Sequence, residues 1–262
     1  MGEFLRLRQV CLVAPRLEPL VRDLEAVLGV PVCHRDENVA KYGLENALFA
    51  IGTGFLEIVA PIQPGTAAER FIERSGGRGG YMAIFDCADP EARARHAEAL
   101  GVRRANVIQQ DGYHSVQLHP RDCRAAMIEL GHTAGGERLD GPYWPAGPDW
   151  TANADPDQAF LGIELESPDP DGLLRHWAGI LQLPVSASEG QPYLAAGVAR
   201  IKARRSGDDR ERLAAVDVQV QDVARAEREA GARGYSVAAG AFPFGGVTLR
   251  LTHVAKRPGD AG

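Results

Sequence analysis

One pattern recurs along this chain and sets what it can fold into. Residues 5–13 (LRLRQVCLV) alternate Leu5, Leu7, Gln9 and Cys11 against Arg6, Arg8, Val10 and Leu12, the two-residue period of a β-strand. Pro15 then opens a helix whose apolar positions Leu17, Leu20, Val21, Leu24, Val27 and Leu28 follow the 3.6-residue period, and Gly29 supplies its stop. The plan returns at 160–185: a strand (FLGIELES), Pro168, then a helix with Leu173, Leu174, Trp177, Ile180 and Leu181 on one face. Even the exits match, Leu-Gly-Val-Pro-Val in one and Leu-Gln-Leu-Pro-Val in the other. Two further copies follow the same plan. Residues 80–88 predict a strand with a helix from Pro90 through Leu100, and residues 213–220 a strand with Asp222 capping a helix through Ala230. Behind the helices come extended pairs: NALFAIG and FLEIVAP, HSVQLHP and AAMIELG, PYLAAG and VARIKAR, GYSVAA and GVTLRLTHV. The expectation is an α+β chain of four βαβββ units in series. One such unit buries too little to stand alone, so the units should pair.

The pairs are separated by a Gly-, Pro- and Asp-rich stretch without periodicity, residues 135–158. Trp144 and Trp150 lie inside it, with two readings: an aromatic lid over a ligand cavity, or pins that hold the linker down. The expected division is a first block over 1–134 (units 5–61 and 79–131), the linker, a second block over 159–256 and a tail over 257–262. With 45% hydrophobic and 24% charged residues the chain can bury a core. Its net charge of −6 and the lack of any Lys/Arg block argue against nucleic-acid or anionic-membrane partners. No apolar run is long enough for a membrane span, and the N-terminus lacks a signal-peptide core. Cys11, Cys33, Cys87 and Cys123 show no CxxC or metal-finger spacing and read as reduced thiols, which points to the cytoplasm. No nucleophile elbow, phosphate loop or dinucleotide fingerprint is present; Gly76–Gly80 and residues 204–212 read as connectors between units.

Three stretches carry a family resemblance. They are Glu57–Glu73 (EIVAPIQPGTAAERFIE), Leu118-His119-Pro120-Arg121 followed by Met127-Ile128-Glu129-Leu130, and Asn46-Ala47-Leu48 followed by Phe55-Leu56-Glu57. Together with the four units they resemble the vicinal oxygen chelate superfamily, which includes glyoxalase I, methylmalonyl-CoA epimerase, extradiol dioxygenases and bleomycin-resistance proteins, and within it a glyoxalase-like subgroup. The resemblance implies two paired-unit domains, each a U-shaped mixed sheet, with a divalent metal held by residues of the first and last strand of each unit. Those positions fall on Gln9, where many members have His, on Glu57, on Met82 or Tyr81, and on Glu129. Alternation agrees, since Val10, Leu12, Leu56, Ile58, Ile128 and Leu130 would face the helices and leave Gln9, Glu57 and Glu129 toward a cavity.

The missing histidines bear on the chemistry. Gln9, Glu57 and Glu129 offer oxygen donors, which suit Mg²⁺, Mn²⁺ or Ca²⁺ when water or substrate completes the shell. Without a metal, two carboxylates facing one cavity repel, and one becomes a general base for proton removal beside a carbonyl. A third reading keeps both as hydrogen-bonded residues with no chemistry. Phe55, Tyr81, Met82, Met127 and His119 are candidate ligand contacts; His119 precedes Pro120 and reads equally as a structural hydrogen-bond partner. His114 and His132 border the same region, whereas His34, His96, His176 and His253 look exposed or interfacial. In the second half the corresponding positions are Gly162, Arg200, Ala215 or Val216, and Arg250, which cannot hold a cation. That excludes an extradiol dioxygenase by the usual site and leaves Arg200 and Arg250 to hold an anion or pair with acids. The resemblance thus implies a lyase or isomerase acting on a small oxygenated metabolite, with a divalent metal or with none. The alternative is a non-catalytic protein that sequesters a small molecule, as bleomycin-resistance proteins do. Its only expected partners are that ligand and, for a homodimer as opposed to a monomer, a second copy.

Overall fold

The structure, a computed structural model, describes residues 4–253. The tail expected over 257–262 and the end of the second block lie outside the described residues. Eight strands form the first sheet: β1 (Leu5–Val13), β2 (Val32–His34), β3 (Leu44–Ile51), β4 (Gly54–Pro61), β5 (Met82–Cys87), β6 (Arg104–Gln110), β7 (Tyr113–Leu118) and β8 (Met127–Thr133). Their order is β2-β3-β4-β1-β5-β8-β7-β6. Seven form the second: β9 (Ala159–Ser167), β10 (Val185–Ser188), β11 (Gln191–Ala196), β12 (Ala199–Arg205), β13 (Arg212–Val220), β14 (Ala241–Phe244) and β15 (Val247–His253), ordered β10-β11-β12-β9-β13-β15-β14. The helices are α1 (Leu17–Leu28), α2 (Ala67–Ser75), α3 (Pro90–Ala99), α4 (Pro120–Cys123), α5 (Pro170–Leu181) and α6 (Val223–Ala232).

Each unit lays its first strand parallel to its own last one, β1 to β4, β5 to β8, β9 to β12 and β13 to β15. The first strands of partnered units then run antiparallel, β1 against β5 and β9 against β13. Both sheets are therefore mixed, curled and built from paired units, as the repeat predicts. The helix sides of the two sheets pack on each other, α1 on α6 and α3 on α5. One buried cluster accordingly runs from Val10, Leu12, Leu56 and Ile128 through to Ile163, Val216 and Leu249. Arginines seal this layer at helix ends, where carbonyls lack intrahelical partners. Arg225 of α6 donates to the carbonyls of Ala26 and Val27 at 2.8 Å, and Arg93 of α3 donates to that of Leu181 at 3.0 Å.

Three local expectations change. The alternation of residues 5–13 breaks, because the register between β1 and β5 slips between Leu7 and Gln9. A bulge there leaves Arg8 and Gln9 on the same side, so Leu5 and Leu7 join Val10 and Leu12 in the core instead of sharing the face of Gln9. The fourth unit has one ladder strand fewer than expected. Residues 234–239 make only an isolated bridge, Ala238 to Ala241, because Ala239 (φ 49°) and Gly240 (φ 76°) turn the chain before β14. Helix α2 adds an element inside the Glu57–Glu73 stretch. Its start is a capping pattern: Thr66 Oγ1 accepts from the Glu69 amide at 3.0 Å. No described helix is long and apolar enough to cross a membrane.

Candidate active site

The first sheet turns its helix-free face toward a cavity of about 370 Å³. Its walls are largely apolar, with Val39, Leu44, Val59, Ile84, Ile108 and Met82 among them, and α2 closes one side through Ala67. Its floor is polar and comes from the central strands. Glu57 of β4 accepts from Gln9 Nε2 at 2.8 Å and from Asn46 Nδ2 at 2.7 Å, one donor on each carboxylate oxygen. Glu129 of β8 accepts from Tyr113 Oη at 2.9 Å and Gln117 Nε2 at 2.8 Å in the same fashion. Both glutamates are buried, 8% and 5% exposed, so the four donors meet a real desolvation cost and fix both carboxylates in orientation. Space for one of them is made by Gly131, where a Cβ would stand 2.8 Å from Tyr113 Oη.

The electrostatics follow from burial. Desolvation pushes the Glu57 carboxyl above its ordinary value; the Asn46, Cys11 and Gln9 hydrogen bonds pull it down, and the charge of Glu129 pushes it up further. Glu57 therefore holds its proton to a higher pH than a solvated glutamate. Burial, with Glu129 beside it, drives the Tyr113 hydroxyl far up, so it remains a donor. The Cys11 thiol, next to Glu57 on the floor, is pushed far up by burial and then by Glu57, and stays protonated.

Gln9, Glu57, Tyr81, Met82, Met127 and Glu129 all line this one cavity. Glu57 stands opposite Cys11 in the ladder and Glu129 opposite Ile84, two residues beyond Gln9 and Met82 respectively. Met82, not Tyr81, thus holds the ladder position that corresponds to Gln9. Two candidates lie elsewhere. Phe55 shares the face of Glu57 but is completely buried under the linker, stacked on Tyr143 (centroids 4.7 Å apart) and edge-on to Trp150 (5.1 Å). His119 sits outside, before α4, where its Nδ1 lies 3.4 Å from Arg103. His114 and His132 are likewise engaged away from the cavity, with Gln109 and Glu91 and with the Cys87 carbonyl.

Of the linker's part in the site, the lid reading of the tryptophans was open from the sequence, but Tyr143 was missed. Tyr143 Oη reaches in and donates to Gln9 Oε1 at 3.0 Å, and Trp144 stacks on Tyr113 with centroids 4.9 Å apart while lining the cavity. The two tryptophans split the two readings: Trp144 covers the cavity, and Trp150, 3% exposed against Phe55, pins the linker. Asn46 and Gln117 were within reach of alternation, each lying on a strand next to a glutamate's strand.

The donor set decides how far a resident cation fits. Gln9 turns its amide nitrogen to Glu57 and its carbonyl to Tyr143. A shell of Gln9, Glu57 and Glu129 oxygens needs that amide reversed, which forfeits the hydrogen bond from Gln9 to Glu57. Among the described residues no three His, Cys, Asp or Glu side chains are placed to hold a metal ion. As arranged, these residues do not fit one.

Paired βαβββ units curled about a cavity floored by two strand carboxylates define the class: this chain is a vicinal oxygen chelate protein. Within that superfamily the family model described as Glyoxalase-like domain matches residues 10–183, more than half of the chain, and the chain belongs to that family. Solved structures agree in fold. A hypothetical protein from Staphylococcus aureus superposes with a TM-score of 0.67 at 10% identity, covering 95% of this chain and 100% of that one. The Mn(II)-bound glyoxalase from Novosphingobium aromaticivorans gives 0.65 at 14% identity, covering 97% and 83%. A variant of 4-hydroxymandelate synthase from Streptomyces coelicolor gives 0.64 at 15% identity, covering 90% and 76%. At these identities the likeness is one of fold alone. No curated protein sequence matches the chain at a significant level.

Proposed function

We propose that the chain is an acid–base enzyme of the lyase or isomerase type, moving a proton at a carbon beside the carbonyl of a small oxygenated metabolite. The observation that carries this reading is the pair Glu57 and Glu129, buried at the floor of one cavity and each oriented by two neutral donors. Glu129 takes the proton from carbon, and the electron pair moves onto the carbonyl oxygen. Glu57, which keeps its proton at higher pH, delivers it to that oxygen. The mostly apolar walls exclude water and strengthen both transfers. No step is assigned to a metal, since the Gln9 amide is turned away from the role a ligand needs.

The apolar walls also favour a second reading, sequestration of a small apolar ligand without turnover. Deuterium exchange separates the two. A panel of small 2-oxo and 2-hydroxy carbonyl compounds, incubated with the protein in D₂O and followed by proton NMR, should reveal a compound that exchanges its carbon-bound proton. Exchange should persist after chelator treatment, gain nothing from added Mn²⁺ or Mg²⁺, and vanish in Glu129→Gln. Saturable binding of a panel member with no exchange in any preparation sinks the enzyme reading and leaves sequestration.

A further inference from the structure

The cavity shares a wall with a second groove: Ala67, Tyr81 and Met127 line both, and the groove, of about 590 Å³, runs between α2 and residues 119–127. Arg70 and Arg74 stand on one side of this groove, His119 and Arg121 on the other. The acid that lines the groove, Glu211, and Asp122, next to Arg121 in the chain, are already engaged. Glu211 is held by Arg124, with Nε to Oε2 at 2.8 Å, and by Ser167 Oγ at 2.6 Å; Asp122 is held by Arg103 at 2.7 Å. Arg70 donates only to the Gly65 carbonyl, at 2.6 Å. Among the described residues no carboxylate lies within ion-pair distance of Arg70, Arg74 or Arg121. Their field reaches the junction with the cavity: burial pushes the Tyr81 hydroxyl up to about 12, and the charges of Arg74 and Arg70 work against that rise.

Three exposed guanidinium groups around one groove, none paired with a carboxylate, give it a positive field that favours a ligand supplying counter-charge. Each presents several donors in a planar fork suited to an oxyanion. A single carboxylate brings one charge and two oxygens, too few for three separate forks, whereas a phosphate ester brings close to two charges and three free oxygens. We propose that this groove binds the phosphate-bearing end of the substrate whose carbonyl end lies between Glu57 and Glu129, so that the substrate class is a phosphorylated oxygenated metabolite. The identity of the carbonyl end rests on the proton-transfer reading above; the anion site does not.

Titration calorimetry on the full chain at low ionic strength tests this, with inorganic pyrophosphate and succinate as probes. Pyrophosphate should bind saturably at one site, more tightly than succinate, and weaken as salt rises. The double variant Arg74→Ala/Arg121→Ala should weaken pyrophosphate by about tenfold or more. Both side chains are exposed, so its thermal midpoint should stay at the wild-type value. Glu129→Gln, which abolishes exchange under the proton-transfer reading, should leave pyrophosphate affinity within about twofold. No saturable pyrophosphate binding, equal affinity for succinate, or affinity indifferent to the arginine variant overturns the groove assignment. The failure of the two proposals is distinguishable: exchange without arginine-dependent pyrophosphate binding removes the groove alone, and the converse removes proton transfer alone.

Discussion

On the first sheet, the face turned from the helices carries Gln9, Asn46, Glu57, Gln117 and Glu129 around a space. On the second, the same face carries Glu164, Glu166, Lys202, Arg204, Asp217 and Arg250 fastened to one another. Arg204 meets Glu164 at 2.7 Å and also pairs with Glu166; Arg250 meets Asp217 at 2.6 Å and Glu164 at 3.1 Å; Lys202 meets Asp217 at 3.4 Å. Both sheets thus hold carboxylates on central strands, but with opposite partners. Neutral amides and a phenol orient a carboxylate while leaving its charge and one lone pair per oxygen unspent. A guanidinium spends both. Gly162 completes the closure: at φ 144°, with a Cβ that would stand 2.0 Å from the Arg200 carbonyl oxygen, β9 brings its backbone against β12 and leaves no room there. Arg200 itself is exposed, its guanidinium over the Tyr193 ring at 4.7 Å. The same architecture leaves two glutamates free of ion pairs beside a cavity in one copy and ties the acids of the corresponding face to cations in the other.

The sharpest break of this contrast is Glu129→Gln. It keeps the shape and removes the base, so exchange should fall by about 10² to 10⁴-fold. Circular dichroism and urea unfolding should stay close to wild type. A substitution on the scaffold face should do the reverse. Arg212 pairs with Glu166 at 2.6 Å, and both residues are under 10% exposed. Arg212→Ala removes the more buried of the two guanidinium partners of Glu166, leaving Arg204 on that carboxylate, and should cost about 2 kcal/mol of stability by urea unfolding, while ligand affinity in the first cavity stays unchanged. A loss of exchange as large as its loss of stability would show the second sheet to be more than scaffold.

The layout of the cavity face was legible because alternation is local. Val10, Leu12, Leu56, Ile58, Ile128 and Leu130 do pack toward the helices, and Gln9, Glu57 and Glu129 do line the opposite cavity. The bulge at Arg8 was not legible, because it exists only through the pairing of β1 with β5, strands some 70 residues apart. Phe55 illustrates another limit: its face was read correctly, but a distant segment covers it. Tyr143 sits in a stretch with no period to place it, so nothing in residues 135–158 announced a hydrogen bond to Gln9. The ion pairs of the second sheet escaped for the same reason as the bulge, since which arginine meets which acid depends on register across four strands.

The linker sharpens the comparison on a smaller scale. Trp144 stacks on Tyr113, which in turn holds Glu129, so the lid and the floor are coupled through one ring pair. Trp144→Ala should cost about 1 kcal/mol of stacking, and ligand affinity in the first cavity should fall by roughly fivefold. Trp144→Phe should restore most of that affinity, which separates a stacking role from a merely structural one. Gly131→Ala approaches the same contact from below, displacing the Tyr113 hydroxyl from Glu129. It should lower the exchange rate more than ligand affinity.

The smallest effect, and the one most particular to a cavity floor that keeps Glu57 and Glu129 free of ion pairs, concerns pH. Glu57 is raised above its unfolded value chiefly by burial. The folded chain therefore binds more protons at this position than the unfolded chain does, and its contribution to stability declines as pH rises through that interval. Glu57→Gln removes the titration while keeping the hydrogen-bonding shape toward one of its two amide donors. The variant should thus gain on wild type as pH climbs above the ordinary carboxylate range, with the gap in thermal midpoint widening until Glu57 has lost its proton in the folded chain. The acids of the second sheet, held by guanidinium groups, should show no such gain when neutralised: Asp217→Asn should lose stability across the same range. If Glu57→Gln and Asp217→Asn tracked each other with pH, the two faces would be electrostatically alike, and the division between reactive sheet and scaffold would fail.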